Sequence, residues 1–296
     1  MNIGAKIRSL RVAKLMTQSE LAGNQITRNM LSCIENGTAQ PSLSTILYIA
    51  SRLNVPVGFL LAEEGDEIIY QKANSLANIK RAYKAGDLAG CRSLCFSSCP
   101  EPDDEIRFLI ADCDLGIAQD AFWKGQVRVA CRFFDEALRI AEETLYSMPH
   151  IRAIAEVYFR YMQRISPTLY SDALDEAVKS EFFCKTAFSE YVNALDAIDR
   201  GDASLAIAYP SAFSEENRFC ADHLRIQRLM LEGKYEEGKC RLLSLLESEI
   251  LLNEVELYAV LCDLEICCRE TEDFKGAYRY ANEKVQLLEQ LLKAAQ

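Results

Sequence analysis

Apolar residues recur along this chain at the three- and four-residue spacing of helices, and no stretch sustains the alternation of a strand. Ile3, Ile7 and Leu10 form the first stripe, with Lys6, Arg8, Arg11 and Lys14 on the other faces. Leu21 and Ala22 face inward from a second, short helix, which Gly23 and Asn24 end. Ile26 is placed to plug the turn that follows. Leu31 and Ile34 share one face of a third helix, and Arg28, Asn29, Ser32 and Cys33 occupy the other. Leu43, Ile46, Leu47, Ile49 and Leu53 pattern a fourth, and Phe59, Leu60 and Leu61 a fifth. The punctuation agrees with this division. Thr17 and Glu20 have the spacing of a capping box. Thr27 can cap the third helix, and Asn36-Gly37 can stop it. Pro41 and Pro56 each start a helix. Residues 1–62 therefore read as five short helices, and the third has an apolar back and a short polar front.

A charged junction, Glu63-Glu64-Gly65-Asp66-Glu67, follows, and the chain beyond it is helical in pattern. Breaks fall at Gly86-Asp87, Lys124-Gly125, Ser166-Pro167, Gly201-Asp202, Gly233-Lys234 and Glu272-Asp273. Anchored on Gly86, Gly125, Ser166, Gly201, Gly233 and Glu272, they lie 39, 41, 35, 32 and 39 residues apart. Two helices per period of this length are the signature of a solenoid. The clearest unit runs from Glu105 to Glu143, where Ala130, Phe134 and Ala137 let one helix nest against its pair. Gly276-Ala277 to Ala281 repeats that pattern more weakly. The last helix, Phe274 to Ala295, carries Val285, Leu288 and Leu292 on one stripe, as a cap or a dimer seam would. The expected division is 1–62 as a first domain, 63–68 as a linker and 69–296 as a helical repeat domain.

Charge changes the picture more than composition does. The chain holds 44 acidic and 33 basic residues, a net of −11, which by itself argues against nucleic acid. Residues 1–62 reverse the argument: six bases against two acids make +4, which leaves −15 for the remainder. A basic head on an acidic body suits a DNA reader joined to a domain that does not touch DNA. An excess of +4 is modest, so the expectation is a homodimer on paired half-sites. Twelve cysteines show no paired CxxC, and the two histidines, His150 and His223, are far apart. The cysteines read as small buried hydrophobes, with a redox switch at Cys91, Cys95 and Cys99 as the lesser reading. No catalytic cluster, phosphate loop or metal spacing stands out, so neither an enzyme nor a cofactor is expected. The absence of a long apolar run or a leader pattern points to a cytoplasmic protein with no membrane partner.

Three segments resemble the XRE/Cro-CI helix-turn-helix family. They are TQSELA from Thr17, then TRNxLSxIENG from Thr27, then PSLxTIxxIAxxLNVP from Pro41. The turn between the two motif helices is about one residue shorter than the commonest family pattern. The resemblance implies a double-stranded DNA operator as partner. It implies that Gln18 anchors the first motif helix to a phosphate and orients the reading side chains. Arg28, Asn29 and Cys33 would face bases, and Thr27, Ser32, Asn36 and Thr38 would contact backbone or neighbouring bases. Arg suits guanine and Asn suits adenine in the major groove. The later breaks resemble tetratricopeptide repeats, which implies an all-α protein: a five-helix helix-turn-helix domain followed by an α-solenoid of hairpins. The first helix of each hairpin would line a groove. In this register the groove carries Lys80, Gln119, Tyr191, Asn193, His223, Gln227 and Arg269, with Asn193 able to clamp a peptide backbone. The combined architecture resembles the peptide-sensing RRNPP regulators of Gram-positive bacteria and implies a short signalling peptide as ligand. The open alternative is a DNA-tethered scaffold that docks a protein partner.

Overall fold

The computed structural model describes residues 3–62, 67–174, 185–201, 218–247 and 251–293. Residues 63–66 of the expected linker, Asp202 at one expected break and Ala295 at the end of the last helix lie outside these. Among the described residues the protein is all-α, with fifteen helices and no strand. The chain divides into two compact units, residues 1–86 with 93–101 and residues 87–92 with 102–296.

The first unit opens with α1 (Ile3–Ala13), α2 (Gln18–Ala22), α3 (Arg28–Glu35), α4 (Leu43–Leu53) and α5 (Val57–Leu61), followed by α6 (Glu67–Lys84). The expected punctuation is present in detail. Thr17 and Glu20 form the full capping box, the Thr27 hydroxyl accepts from the Met30 amide, and Ser42 rather than Pro41 caps α4. Ile7, Leu21, Leu31, Ile34, Ile49, Leu53 and Leu60 make the core. Leu43 and Leu47 are exposed, because the inward face of α4 runs through Ile46, Ile49, Ala50 and Leu53. The α1 and α3 backbones approach closely at Gly4. A Cβ on Gly4 would sit 2.0 Å from the Ile34 carbonyl oxygen.

The second unit is built from antiparallel helical hairpins. Lys124-Gly125 joins α8 (Asp104–Trp123) to α9 (Val127–Glu143), and of α7 (Leu88–Ser98), which precedes them, only the residues up to Arg92 belong to this unit. α10 (Pro149–Ile165) and α11 (Ala187–Asp199) follow, each ending at an expected break. Gly233-Lys234 joins α12 (Arg218–Leu231) to α13 (Tyr235–Glu247), and Glu272-Asp273 joins α14 (Glu254–Glu270) to α15 (Phe274–Leu291). Ala130, Phe134 and Ala137 are fully buried at the α8–α9 contact, as their small-large-small spacing requires. An aromatic core continues through successive helices. Phe122, Tyr158, Phe188, Tyr191 and Phe219 meet in a chain of ring contacts with centroids 4.8–6.4 Å apart. The start of α14 returns to the α8–α9 turn, where Glu254 lies against Gly125, and the Tyr258 hydroxyl donates to the Ile165 carbonyl at 3.4 Å. Cys91, Cys95, Cys99, Cys267 and Cys268 are buried, and burial pushes the thiols of Cys220 and Cys267 up to about 12. Cys220 and Cys267 therefore stay protonated, and the buried cysteines lie in the interior as small hydrophobes.

Two predictions follow from packing. Gly4→Ala must move α1 off the α3 backbone and should cost the first unit about 1–3 kcal/mol, read as a lower thermal midpoint. The second concerns Asp114 on α8, which is completely buried. One of its oxygens accepts from Arg92 Nε at 2.5 Å, and the other has no hydrogen-bond partner among the described residues. Burial raises its carboxyl from 3.8 to about 6, against the pull of Arg92. The folded protein thus holds this proton more tightly than the unfolded chain. The contribution of Asp114 to stability should fall as pH rises from about 4 to about 6. Denaturant midpoints at pH 4 and pH 7 should differ in this sense, and Asp114→Asn should remove that part of the difference.

Candidate nucleic-acid interface

α3 presents its polar front to solvent because its back is fully committed. Leu31, Ile34 and Glu35 are buried, whereas Arg28, Asn29 and Cys33 are exposed and Ser32 is half-buried. Arg28 has no ion pair or side-chain hydrogen bond among the described residues, which leaves its fork of donors outward.

The helix is held by the one charge on its buried face. Glu35 accepts from Arg11 Nε at 2.7 Å and from the second Arg11 terminal nitrogen at 3.0 Å, a two-pronged pair. The same carboxylate accepts from Gln18 Nε2 at 2.8 Å. Burial alone would raise the Glu35 carboxyl. Hydrogen bonds from Arg11 and Gln18, with the charges of Arg11 and Arg8, outweigh burial and hold it below its ordinary 4.5. One side chain at the end of α3 thereby fixes α1 and the start of α2. Arg11 also donates to the Met16 carbonyl at 2.8 Å, so it orders the loop that leads into α2.

The turn between α2 and α3 is fixed from α4. The Tyr48 hydroxyl donates to the Ala22 carbonyl at 3.0 Å, and Arg52 donates to the Glu20 carbonyl. Gly23 adopts φ 54° and ψ −138°, a conformation open to glycine and costly for other residues. A Cβ there would also lie 2.3 Å from the Tyr48 oxygen. The shortened turn therefore depends on one glycine pressed beneath one tyrosine. Tyr48 and Arg52 carry no sequence signal for this role, since their bonds reach backbone carbonyls 26 and 32 residues away.

Residues 7–60 match the helix-turn-helix family, and α2 and α3 are its paired motif helices. This segment is a helix-turn-helix domain. No curated protein matches the chain. The chain is similar to a solved structure of Bacillus thuringiensis PlcR in complex with the peptide PapR7 and DNA, at 15% identity over 99% of each chain. The TM-score of that match is 0.24.

Within the helix-turn-helix domain the structure redistributes the positive charge counted from sequence. Lys6 is buried, with its ammonium on the Ala62 carbonyl and 5.9 Å from the Phe59 ring centre, and Arg11 is neutralised by Glu35. Arg8, Lys14, Arg28 and Arg52 carry the exposed positive charge. Of the residues expected to meet the backbone, Gln18 spends one amide N–H on Glu35. Its other N–H and its oxygen are unpartnered among the described residues. Thr27 spends its oxygen on the cap, the Thr38 hydroxyl donates to the Cys33 carbonyl at 3.0 Å, and Asn36 is exposed.

The positions expected to line a groove separate into two groups. Tyr191 and His223 are buried, 1% and 2% exposed, and so do not stand open to solvent as their register implied. The reason is a polar chain across three helices. The Tyr191 hydroxyl lies 2.7 Å from His223 Nδ1, and His223 Nε2 lies 2.7 Å from Asp263, which also accepts from Gln227 at 2.5 Å. Sequence reading missed Asp263, although it stands three residues from Val260 and four from Cys267 on a buried face. Asn193 is exposed and accepts from Arg160 at 2.9 Å. Lys80 and Arg269 are exposed, the latter 3.8 Å from Glu270. Gln119 edges a pocket of about 330 Å³ formed with Trp123, Val157, Tyr158 and Phe188. The Trp123 indole donates to the Tyr158 hydroxyl at 3.2 Å at its base.

Glu35→Ala should leave Arg11 without its partner and release Gln18, at a cost of about 3 kcal/mol. The natural pair has its own pH signature. A carboxyl held low contributes stability above about pH 4.5, and that stability is lost as pH falls through the lowered value. Chemical denaturation of wild type and Glu35→Ala at pH 3 and pH 7 should show a gap that narrows in acid.

Proposed function

We propose that this chain is a sequence-specific, DNA-binding transcriptional regulator that works as a homodimer and takes its input from a short peptide. The observation that carries the first part is the exposed, unpaired front of α3, held rigidly by the Glu35 clamp inside a helix-turn-helix domain. In this reading α3 enters the major groove, and Arg28 and Asn29 contact base edges through their paired donors and acceptors. Cys33 and Ser32 lie alongside them. Gln18 offers its remaining N–H to a phosphate, while Thr27, Asn36 and Thr38 approach the backbone or adjacent bases.

The input is assigned to the hairpins of residues 69–296, read as tetratricopeptide-like repeats. The pocket of Gln119, Trp123, Tyr158 and Phe188 supports this, because its walls are aromatic and Gln119 stands at its edge. Asn193, exposed on the same helix as Phe188, offers an amide suited to an extended backbone. Tyr191, His223 and Gln227 act in this reading through the buried chain that ties α11, α12 and α14 together rather than by touching ligand in this conformation.

A gel shift on the DNA upstream of the chain's own gene tests the output. Arg28→Ala should cost about 1–3 kcal/mol of specific binding and relax sequence preference while weak non-specific binding persists. An unchanged footprint would remove Arg28 as a base reader. For the input, Trp123 is the chain's single tryptophan and stands at the pocket. A peptide released from the purified protein by denaturation and identified by mass spectrometry should, when titrated back, shift Trp123 emission and operator affinity together. Recovery of a bound protein partner with no peptide would favour the scaffold reading.

A further inference from the structure

α15 carries an apolar stripe that its own chain leaves open. Phe274 and Tyr278 are 69% and 73% exposed, and Val285 is 50% exposed. Ala281, half-buried, continues the same line, and Leu288 and Leu292, which also pack partly on the unit's own core, complete it. The steps along 274, 278, 281, 285, 288 and 292 alternate four and three, the seven-residue repeat with which one helix packs along another. The side of α15 that flanks this stripe inwardly is already used. Lys284 pairs with Glu265 of α14, and Leu291 is fully buried. The outward flank carries Lys275, Asn282 and Glu289, seven residues apart and all exposed.

That flank is complementary to itself when reversed. Laid antiparallel about an axis at Asn282, two copies of α15 set outward flank against outward flank. Lys275 then faces Glu289 of the second copy, Glu289 faces its Lys275, and Asn282 faces its counterpart. A parallel arrangement would set the outward flank against the inward one, which is packed on its own unit. Flanking charges of this kind set orientation and partner choice in helix pairs. We infer that α15 is the seam of a two-fold, antiparallel pairing between two copies of this chain, with Phe274, Tyr278 and Val285 as its apolar centre. The inference rests on the proposed regulator only in sharing its expectation of two copies, and it is measured without DNA or peptide.

The seam is about 27 Å long at 1.5 Å per residue, so its area falls short of the roughly 800 Å² per partner of a standard interface. Concentration-dependent association is therefore expected. Sedimentation velocity over a concentration series on the full chain should show a monomer–dimer equilibrium. Lys275→Glu and Glu289→Lys should each weaken it about fivefold, since each places like charges together twice. An equimolar mixture of the two single variants should recover wild-type association, because the mixed pair restores both contacts, and the double variant should recover it too. Tyr278→Asp should weaken association without rescue. A wild type that stays monomeric, or single variants that associate as wild type does, would overturn the seam. Weakened single variants whose mixture fails to recover would overturn the antiparallel pairing. Gel shifts on the same proteins keep the outcomes apart: a failed seam with intact operator binding leaves the regulator reading standing.

Discussion

The Glu35 carboxylate sits where three helices must agree. It belongs to α3, is gripped by Arg11 of α1 and accepts from Gln18 at the start of α2. A buried charge is costly unless its oxygens are occupied, and here three donors occupy them. The cost of burial is thereby turned into a geometric requirement. α3 cannot rotate or slide without losing hydrogen bonds to two other helices at once. Directional bonds hold what apolar contacts between Leu31, Ile34 and Ile7 would leave freer, and the outward set of Arg28, Asn29 and Cys33 inherits that fixed angle.

The same device recurs in the second unit at a different scale. Tyr191, His223, Asp263 and Gln227 join α11, α12 and α14 by hydrogen bonds within an otherwise aromatic and aliphatic interior. Apolar hairpins can slip against one another at small cost, whereas a hydrogen-bonded chain has discrete arrangements. In both units one buried acid sets the relation of three helices, and the polar residues around it serve geometry before contact with any ligand.

Local features of the fold were legible in the sequence, and longer-range ones were legible only in part. The capping box at Thr17, the Thr27 cap and the turns near Gly86, Gly125, Gly233 and Glu272 depend on neighbours within a few residues, and pattern reading finds them. Glu35 enters the sequence reading only as one of two acids in the charge count of residues 1–62, yet it lies four residues beyond Leu31 and next to Ile34, on the buried face. Lys6 likewise shares the inward stripe of Ile3, Ile7 and Leu10. A charged residue in phase with an apolar stripe was the available signal in both cases, and its partners, 24 and 56 residues away, were not. Two of the expected groove positions, Tyr191 and His223, are buried for a related reason. Which side of a hairpin helix is open depends on how tightly successive hairpins close, and no local spacing encodes that. Tyr191 and His223 have the amphipathic character of a lining residue, but the closeness of α11, α12 and α14 buried them.

The return of α14 to the α8–α9 turn has a consequence for how the second unit loses structure. A linear array whose members touch only their neighbours frays from its ends, and each end melts at little expense to the rest. Here Glu254 against Gly125, and Tyr258 on the Ile165 carbonyl, join the last hairpin to the first helices of the row. Topologically the row becomes a loop with no free end on that side. Opening the α14–α15 hairpin then also strips contacts from α8 and α10, so it costs more than the loss of an end hairpin in a linear array. The last hairpin is thereby coupled to helices early in the row as well as to its neighbour in sequence.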